Sequence, residues 1–352
     1  MIERRKIVEV GQSGRAVALV TLVRVEGSSY RSEGARLVIE ADGTYVGSVS
    51  GGCLEAEIVR KTQWLTRAGA VIQRYSTLFD DTAEIPYGLG CGGTVEVLLE
   101  PVDTPEFAAL LSALAASLQG ETRCVNTWLP TSGRSMARVV TDEQGDVIFR
   151  SAHLDVEAGG ADFHEQLEPP QRLFLFGAGE DVRPMVRLAA LLGWSVFVFD
   201  GRVQWARSER FPEAEIVMAM HELGDPRPGS KDAVILMTHS YEADRDWLKQ
   251  VLPCQPRYLG LLGSRHRSAL LVSEAAEAIG WSVSRACEHM FSPVGLDLGG
   301  DGAEAIALSA VAEIQACTQG KLAHSRRLTP DTVAEQIQLG GASRYLQTQC
   351  AL

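Results

Sequence analysis

The sequence predicts an α/β protein of two domains, in which an N-terminal mixed α/β domain is followed by a doubly wound parallel sheet. Two observations support this prediction. The chain has 352 residues, which is long enough for two hydrophobic cores. In its second half, apolar strand-like runs alternate with amphipathic helix-like segments, the pattern of a parallel sheet covered on both faces. We place the first domain at residues 1–150, a linker at 151–171, the second domain at 172–322 and a C-terminal tail at 323–352.

The first domain is predicted to begin with strands and to place a helix behind a glycine turn. Ala35–Glu40 and Thr44–Val49 resemble the two strands of a hairpin. After Gly51-Gly52, apolar residues recur on one helical face, which predicts a helix whose first turn contains Cys53. The other candidate elements of this domain are the strands Ala16–Val25, Ala70–Tyr75, Gly93–Pro101, Thr122–Leu129, Ala137–Val140 and Asp146–Arg150, and the helix Glu106–Leu118.

The second domain is predicted to open with a βαβ unit. Apolar periodicity lapses before it, and the preceding stretch ends in Glu168-Pro169-Pro170, a combination typical of a linker. Arg172–Arg202 then contains a buried strand, a glycine turn, a helix and a second strand. The elements that follow are the strands Asp232–His239 and Arg257–Leu262, the helices Glu242–Leu252, Ser268–Ile279 and Gly302–Cys317, and one more candidate helix at Pro330–Gln338.

Composition argues against several functional classes. The formal net charge of −12 disfavours non-specific nucleic-acid binding, which depends on basic patches. No segment approaches the ~18 uninterrupted apolar residues of a membrane span, so we expect a cytoplasmic protein with no membrane contact. The seven cysteines are scattered and contain no CxxC pair, as is typical of a reducing compartment.

Cys53 is the first candidate functional residue, because it directly follows two glycines at a predicted helix start. Unpaired N–H groups and the positive end of the helix dipole favour an anion there and lower the pKa of a thiol. The position therefore suits a thiolate, a phosphate or both. In the alternative interpretation, Cys53 is a small buried apolar residue and the glycines merely form the turn. A second cysteine set in glycine is Cys91.

The second domain contains a glycine pattern typical of dinucleotide-binding turns. Gly177 and Gly179 follow an apolar strand, and Asp200 lies 21 positions beyond Gly179, which matches that pattern in spacing. Glu180 and Asp181, however, place two carboxylates where a pyrophosphate is expected. They either complement the helix dipole and cap the helix, or compete with a phosphate for it.

Further unusual residues follow the strands of this domain. Because ligands of open α/β sheets bind at the carboxyl ends of the strands, we expect these residues to outline one crevice with the glycine turn. His239 is a candidate for that crevice, or else a solvated loop histidine. Gly263, Ser264 and Arg265 are predicted to form an anion-binding nest, since a glycine turn with basic residues at a helix start suits phosphate recognition.

Taken together and in order, these motifs resemble the xanthine dehydrogenase accessory factor family, of the XdhC/CoxI type. The resemblance implies an N-terminal α/β domain joined to a C-terminal Rossmann-like domain, and an accessory factor rather than an enzyme. The chain departs from the family pattern at Glu180, where histidine is common. The segments that carry the resemblance are Gly47–Glu55, Gly88–Gly93 with Val95–Val97, the Gly177 turn, Tyr258–Arg267 and Ser292–Gly300.

Proteins of that family are thought to bind molybdenum cofactor, protect it during sulfuration and insert it into a molybdenum hydroxylase. The resemblance therefore implies three partners: the hydroxylase apoenzyme, a cysteine desulfurase and a second copy of the chain. No residue is assigned a catalytic role, and Cys53 is the candidate ligand of molybdenum because a thiolate is a soft donor. The residues expected to contact cofactor are Arg31, Ser50, Gly51, Gly52, Cys53, Cys91, Gly92, Gly93, Gly177, Gly179, Asp200, His239, Gly263, Ser264 and Arg265.

Two other functions stand beside this hypothesis. One is an NAD(P)-dependent oxidoreductase, with the nicotinamide in the Gly177 crevice and His239 as the acid/base. The other is a non-catalytic docking scaffold that binds the hydroxylase and handles no cofactor.

Overall fold

The structure is a computed structural model that describes residues 1–76, 93–154, 159–288 and 290–322. The chain forms two compact units, Met1–Pro169 and the described part of Pro170–Arg326. Mixed α/β structure in the first unit and a six-stranded parallel sheet in the second confirm the predicted fold class. Across these ranges, no helix combines the length and apolar character that crossing a membrane requires.

Three α-helices and two antiparallel sheets build the described part of the first unit. The helices are α1 (Ile2–Gln12), α2 (Glu55–Leu65) and α3 (Pro105–Leu118). The strands are β1 (Ala16–Gly27), β2 (Arg36–Glu40), β3 (Tyr45–Gly47), β4 (Val71–Ser76), β5 (Gly93–Pro101), β6 (Arg123–Trp128), β7 (Ala137–Thr141), β8 (Val147–Arg150) and β9 (Phe163–Leu167). The larger sheet has the order β3-β2-β1-β5-β4, and the smaller has the order β8-β7-β6-β9.

Helices cover both faces of the larger sheet. Leu19 and Val20 are neighbours in β1, so their side chains enter opposite layers. Val20 packs in a cluster with Ile58 of α2. Leu19 packs in another with Ile7 of α1 and Leu110 of α3. The Cys53 segment therefore leads into the helix that covers one face of this sheet.

Two predictions about this unit are changed in detail. The predicted hairpin is present as β2 and β3, but its second strand is confined to Tyr45–Gly47. Part of the predicted linker forms β9, which pairs with β6 in the smaller sheet. Glu165 occupies the partly buried central position of β9 and pairs with Arg36, so the strand lacks an apolar alternation that periodicity would detect.

The second unit contains one parallel sheet. Its strands are β10 (Arg172–Phe176), β11 (Ser195–Asp200), β12 (Ile216–Ala219), β13 (Ala233–Leu236), β14 (Tyr258–Leu261) and β15 (Met290–Phe291), and its helices are α4 (Val182–Leu191), α5 (Tyr241–Val251), α6 (Arg265–Ala278), α7 (Val283–Ala286) and α8 (Ala303–Thr318). The sheet order is β12-β11-β10-β13-β14-β15, with every pairing parallel. This order is that of the Rossmann fold, in which the strand order reverses between β10 and β13.

Each face of the parallel sheet carries its own pair of helices. Val186 of α4 and Ala310 of α8 pack in the cluster on one face. Leu248 of α5 and Leu271 of α6 pack in the cluster on the other. The ends of β10 and β13 therefore lie at the switch point, the expected ligand position in this fold.

Candidate functional site

The glycine-rich loop of the first unit lies at one end of the larger sheet. β1 ends at Gly27, which pairs with Gly93 at the start of β5. β3 ends at Gly47, which pairs with Leu37 near the start of β2. Because β1 and β3 end, and β2 and β5 begin, at the same edge, the loops that follow Gly27 and Gly47 leave from one end of the sheet.

Glu55 organises this loop. Its side chain is buried, with 1% of the residue's surface exposed. Both carboxylate oxygens accept hydrogen bonds, and the donors all lie within seven residues of the chain. Oε1 accepts from the Ser48 hydroxyl at 2.8 Å, the Val49 N–H at 3.0 Å and the Ser50 N–H at 2.8 Å; Oε2 accepts from the Gly52 N–H at 2.9 Å, the Leu54 N–H at 3.2 Å and the Ser50 hydroxyl.

These hydrogen bonds determine the charge of the buried carboxyl group. Burial alone raises the pKa of Glu55, but the donors on Ser50 and Ser48 outweigh it and lower the pKa to about 2. Glu55 is therefore ionised at neutral pH. The protein itself therefore supplies an anion to the loop before the helix, because the N–H groups of Ser50 and Gly52 already bind Glu55.

Cys53 lies outside the helix, not in its first turn as predicted. α2 begins at Glu55 with Leu54 in the N-cap position. The Cys53 side chain is exposed, which contradicts the alternative of a small buried apolar residue. Gly51 and Gly52 have φ values of +81° and +111°, a region that favours glycine. The two glycines therefore turn the chain so that the thiol faces solvent beside the Glu55 network.

Arg31 and Tyr30 connect this loop to α1. The Arg31 guanidinium lies 2.7 Å from a carboxylate oxygen of Glu3. A Cβ atom built on Gly51 would lie 2.6 Å from the Tyr30 ring, so the ring packs directly on the Gly51 backbone. The segment Tyr30-Arg31 therefore contacts both the Cys53 loop and the first helix.

Gly93 allows two chain segments to approach each other closely. A Cβ atom at this position would overlap with the carbonyl oxygen of Ser28, in the loop that follows β1. The predicted site residues Cys91 and Gly92 lie outside the described residues, so a role for the second cysteine stays a prediction.

The glycine turn of the second unit lies at the switch point. Gly177 has a φ value of +129°, and its N–H donates to the carbonyl oxygen of Phe199 at 2.7 Å. A Cβ atom at Gly177 would overlap with the carbonyl oxygen of Met237, which follows β13. Glycine is required here because the backbones after β10 and β13 approach each other.

Asp200 is saturated by neighbouring donors. Its carboxylate accepts from the Ala178 N–H at 2.8 Å and the Arg202 N–H at 2.8 Å, and from the Arg202 guanidinium at 2.9 Å and 2.7 Å. Burial alone raises the pKa of Asp200, but hydrogen bonds from Arg202 and Ala178 outweigh it, so the pKa is lowered. The residue that would accept a ribose hydroxyl in a dinucleotide site is thus bound to Arg202 and to the glycine turn itself.

The two carboxylates at the start of α4 contact basic side chains and leave the helix without a side-chain cap. Asp181 makes no capping hydrogen bond, and its Oδ2 lies 2.7 Å from His239 Nε2. Glu180 pairs with Arg183 at 3.0 Å and with Arg210 at 2.7 Å, and these two arginines lower its pKa. His239 is therefore held at the switch point by Asp181, although most of its side chain is exposed.

Some residues of the predicted anion-binding nest bind other parts of the protein. Ser264 is the N-cap of α6 and accepts from the Arg267 N–H at 3.3 Å. The Arg267 guanidinium pairs at 2.7 Å with Asp244, a buried residue that also accepts the Thr238 hydroxyl at 2.7 Å. Arg265 is exposed and lies in the first turn of α6. Of the basic residues in this motif, Arg267 is thus committed to the fold.

The structure therefore brings the predicted residues together in two separate groups. The sequence analysis missed the carboxylates that fix both groups. Glu55 shares the buried face of α2 with Ile58 and Thr62, and Asp244 shares that of α5 with Trp247. A carboxylate on an apolar helix face must be paired, and this was the available signal. The first unit holds Arg31, Ser50, Gly51, Gly52, Cys53 and Gly93, and the second holds Gly177, Gly179, Asp200, His239, Gly263, Ser264 and Arg265.

The described part of the chain contains no group of three or more histidine, cysteine, aspartate and glutamate side chains arranged to hold a metal ion. The donor groups at the Cys53 loop are backbone N–H groups, two serine hydroxyls and one thiol.

Two family models match the chain. The XdhC Rossmann domain matches residues 173–314, and the XdhC and CoxI family model matches residues 11–76. The first match covers the parallel sheet, and the second covers the larger antiparallel sheet up to the end of β4, including the Cys53 loop.

Similar proteins match over most of their length. A probable xanthine dehydrogenase subunit of Bacillus subtilis is 30% identical, covering 84% of this chain and 91% of that protein. The molybdenum cofactor insertion chaperone PaoD of Escherichia coli is 26% identical, covering 88% and 86%. A crystal structure described as a xanthine dehydrogenase from Bacillus halodurans has 27% identity and a TM-score of 0.76, covering 94% of this chain and 99% of that one. Since both family models match and the 30% identical relative covers most of the chain, the chain belongs to the XdhC and CoxI family.

Proposed function

We propose that this protein binds molybdenum cofactor as cargo and inserts it into a molybdenum hydroxylase. The observation that carries the proposal is the similarity to an insertion chaperone, PaoD, over 88% of this chain and 86% of that protein. A match of this extent includes both units, so the likeness is not confined to a shared Rossmann domain.

The Cys53 loop suits cargo that is bound and then released. A thiolate is a soft ligand for molybdenum, and it can also contact the sulfur that is transferred to the cofactor. Cys53 is exposed, and among the described residues beyond its chain neighbours none lies within 4 Å of a Cβ atom built on the adjacent Gly52, which leaves room on this side for a bulky ligand. Glu55 holds the backbone behind the thiol in one conformation. The proposed roles are therefore contact with the metal or sulfur by Cys53 and positioning by Glu55.

The contacts at the switch point of the second unit favour the chaperone proposal over an NAD(P)-dependent oxidoreductase. Asp200 is the residue that a ribose hydroxyl would need, and all of its hydrogen bonds go to Ala178 and Arg202. His239, the candidate acid/base, is paired with Asp181. Binding a dinucleotide would require breaking a buried, charge-assisted contact.

The proposal includes three further elements that rest on the family resemblance. The cargo receives its sulfur from a cysteine desulfurase while this chain protects it. Two copies of the chain act together as a homodimer. The complex forms in the cytoplasm, the compartment that the cysteine composition favours.

Activation of a cofactor-free molybdenum hydroxylase tests the proposal. Purified wild-type protein loaded with released cofactor is mixed with the apoenzyme, and hydroxylase activity is followed over time. We expect faster activation than with free cofactor alone. Cys53→Ser is expected to lower the activation rate at least about tenfold. Cys287→Ser is the control, because Cys287 is an exposed cysteine of the second unit, and it is expected to have no effect on the rate.

The same assay separates the alternatives. Activation that is no faster than with free cofactor contradicts the chaperone proposal. If the protein captures the hydroxylase in a pull-down, and neither pterin nor molybdenum accompanies it at any stage, the docking scaffold is the better account. A Cys53→Ser protein with full activation removes the role of the thiol and leaves the chaperone proposal in place.

A further inference from the structure

A cationic cavity lies beside the Cys53 loop in the first unit. It has a volume of about 530 Å³ and is formed by the start of α1, the loop that follows β1 and the start of β2. Among the described residues, its lining includes three arginines, Arg4, Arg31 and Arg36, and two glutamates, Glu3 and Glu33. Two of these arginines are paired with carboxylates, Arg31 with Glu3 and Arg36 with Glu165, whereas Arg4 donates to neutral oxygens.

Arg36 is the most deeply buried of the three arginines, with 5% of its surface exposed. One Nη atom donates to the carbonyl oxygen of Gly34 at 3.0 Å, and the other pairs with Glu165. Its Nε–H has no hydrogen-bond partner in the described structure. A buried guanidinium N–H without an acceptor costs free energy, and a bound anion nearby would stabilise the charge of this guanidinium.

Arg4 adds to the positive potential of the same cavity. Its guanidinium donates to two neutral oxygens, the Ser117 hydroxyl at 2.9 Å and the Glu168 carbonyl at 2.7 Å. Burial and the charge of Arg36 lower the pKa of Arg4 to about 10. Two guanidiniums that disfavour each other's charge in a cavity form a site at which an anion is stabilising.

Arg31 connects this cavity to the Cys53 loop. It is one-third exposed and pairs with Glu3, which also lines the cavity. The ring of the preceding Tyr30, another lining residue, packs on Gly51. An anion held by Arg31 would therefore lie on the segment that contacts the backbone next to Cys53.

We propose that this cavity binds a phosphate monoester, and that this group is the phosphate of the cofactor cargo. The second part rests on the proposed function. Guanidinium groups present paired donors that match the oxygens of phosphate, and three of them suit a dianion better than a single carboxylate. The N–H groups of the Cys53 loop already bind Glu55, and this cavity offers a separate site for the phosphate.

Calorimetric titration of the full-length protein with inorganic phosphate and with glycerol 3-phosphate tests the first part. We expect the wild type to bind both ligands. Arg31→Gln is expected to weaken binding at least about fivefold, and Glu3→Gln to tighten it because the competing carboxylate is removed. Arg5→Gln is the matched control, since Arg5 is an exposed arginine of the same helix outside the cavity lining, and it is expected to bind like the wild type.

The site is overturned if the wild type does not bind either phosphate at millimolar concentration, or if all four proteins bind equally. Thermal unfolding of each variant without ligand identifies any loss of fold. Arg31 and Glu3 are chosen because they are partly exposed, whereas Arg36 pairs with Glu165 inside the unit.

Competition distinguishes the source of the phosphate. If the cargo phosphate lies here, glycerol 3-phosphate displaces cofactor from the wild type, and Arg31→Gln binds cofactor at least about fivefold more weakly. Unchanged cofactor binding by Arg31→Gln overturns the cargo assignment while the proposed function stands. Phosphate binding that follows the arginines, without any cofactor binding, supports the phosphate site and contradicts the proposed function.

Discussion

Glu55 contacts Ser50 twice, through the backbone N–H at 2.8 Å on one carboxylate oxygen and through the hydroxyl on the other. The Ser50 hydroxyl oxygen in turn accepts the Leu54 N–H at 2.8 Å. The loop that carries Cys53 is thus folded around a buried negative charge. Its conformation depends on that charge, and this dependence can be measured.

Replacing Glu55 with glutamine should disrupt this loop. The amide has one acceptor oxygen, and its NH₂ group would face donors that now bind a carboxylate. We expect a loss of about 2 to 4 kcal/mol in the free energy of unfolding. Alkylation of Cys53 by iodoacetamide, followed by peptide mass spectrometry, should become severalfold faster, because the loop that Glu55 orders becomes more mobile around the thiol. Glu57→Gln, which removes a carboxylate two positions along α2, is the control, and an equal acceleration there would contradict the role of the network.

The stabilising effect of Glu55 should depend on pH in a defined direction. Its carboxyl group has an ordinary pKa of 4.5 when exposed and a pKa of about 2 in the folded protein. Its contribution is therefore fully present above about pH 5 and is lost as the pH falls from 4.5 through 2. The difference in unfolding free energy between the wild type and Glu55→Gln should shrink over this window in urea titrations. A constant difference from pH 6 to pH 3 would mean that the charge is not what stabilises the loop.

Gly177 and Gly179 should respond differently to substitution by alanine. At Gly177 the φ value is +129° and a Cβ atom would overlap with the backbone after β13, so we expect a loss of at least about 3 kcal/mol. At Gly179 the nearest obstruction is the side chain of Asp181, which can move. The cost there should stay below about 1.5 kcal/mol. Chemical denaturation of both variants compares them, and equal losses would refute the assigned difference.

NADH and NADPH should not bind to the wild type in a saturable manner up to millimolar concentration. The reason is that Asp200 already accepts four hydrogen bonds from Ala178 and Arg202. Fluorescence titration of each nucleotide makes the measurement, with a known dehydrogenase as the positive control. Saturable binding of either nucleotide below millimolar concentration would favour the oxidoreductase hypothesis.

The architecture of the second unit was predictable because its signals are local. The apolar runs that became β10, β11, β13 and β14 are continuous, as expected for strands buried on both faces. The glycine turn and Asp200 also lay where their spacing indicated. Asp200 nevertheless binds Arg202, only two residues away, instead of remaining available to a ribose hydroxyl.

The site in the first unit was predictable in composition but not in its internal contacts. The glycines identify the Cys53 loop from the sequence. The carboxylate that accepts hydrogen bonds from the N–H groups of this loop was not predicted, although Glu55 shares a helix face with Ile58. The cavity depends on Arg36 and Glu165, which are 129 positions apart and meet only after β9 joins β6. No spacing rule links residues at that distance, so this feature required the folded structure.

The retention of cofactor by purified protein tests the central proposal most directly. Wild-type protein is incubated with released molybdenum cofactor and passed over a gel-filtration column, and molybdenum and pterin are quantified in the protein peak. We expect both to co-elute with the protein in a fixed ratio to it, with retention reduced in Cys53→Ser and unchanged in Cys287→Ser. Molybdenum and pterin no more abundant in the wild-type peak than with an unrelated protein of similar size would contradict the account.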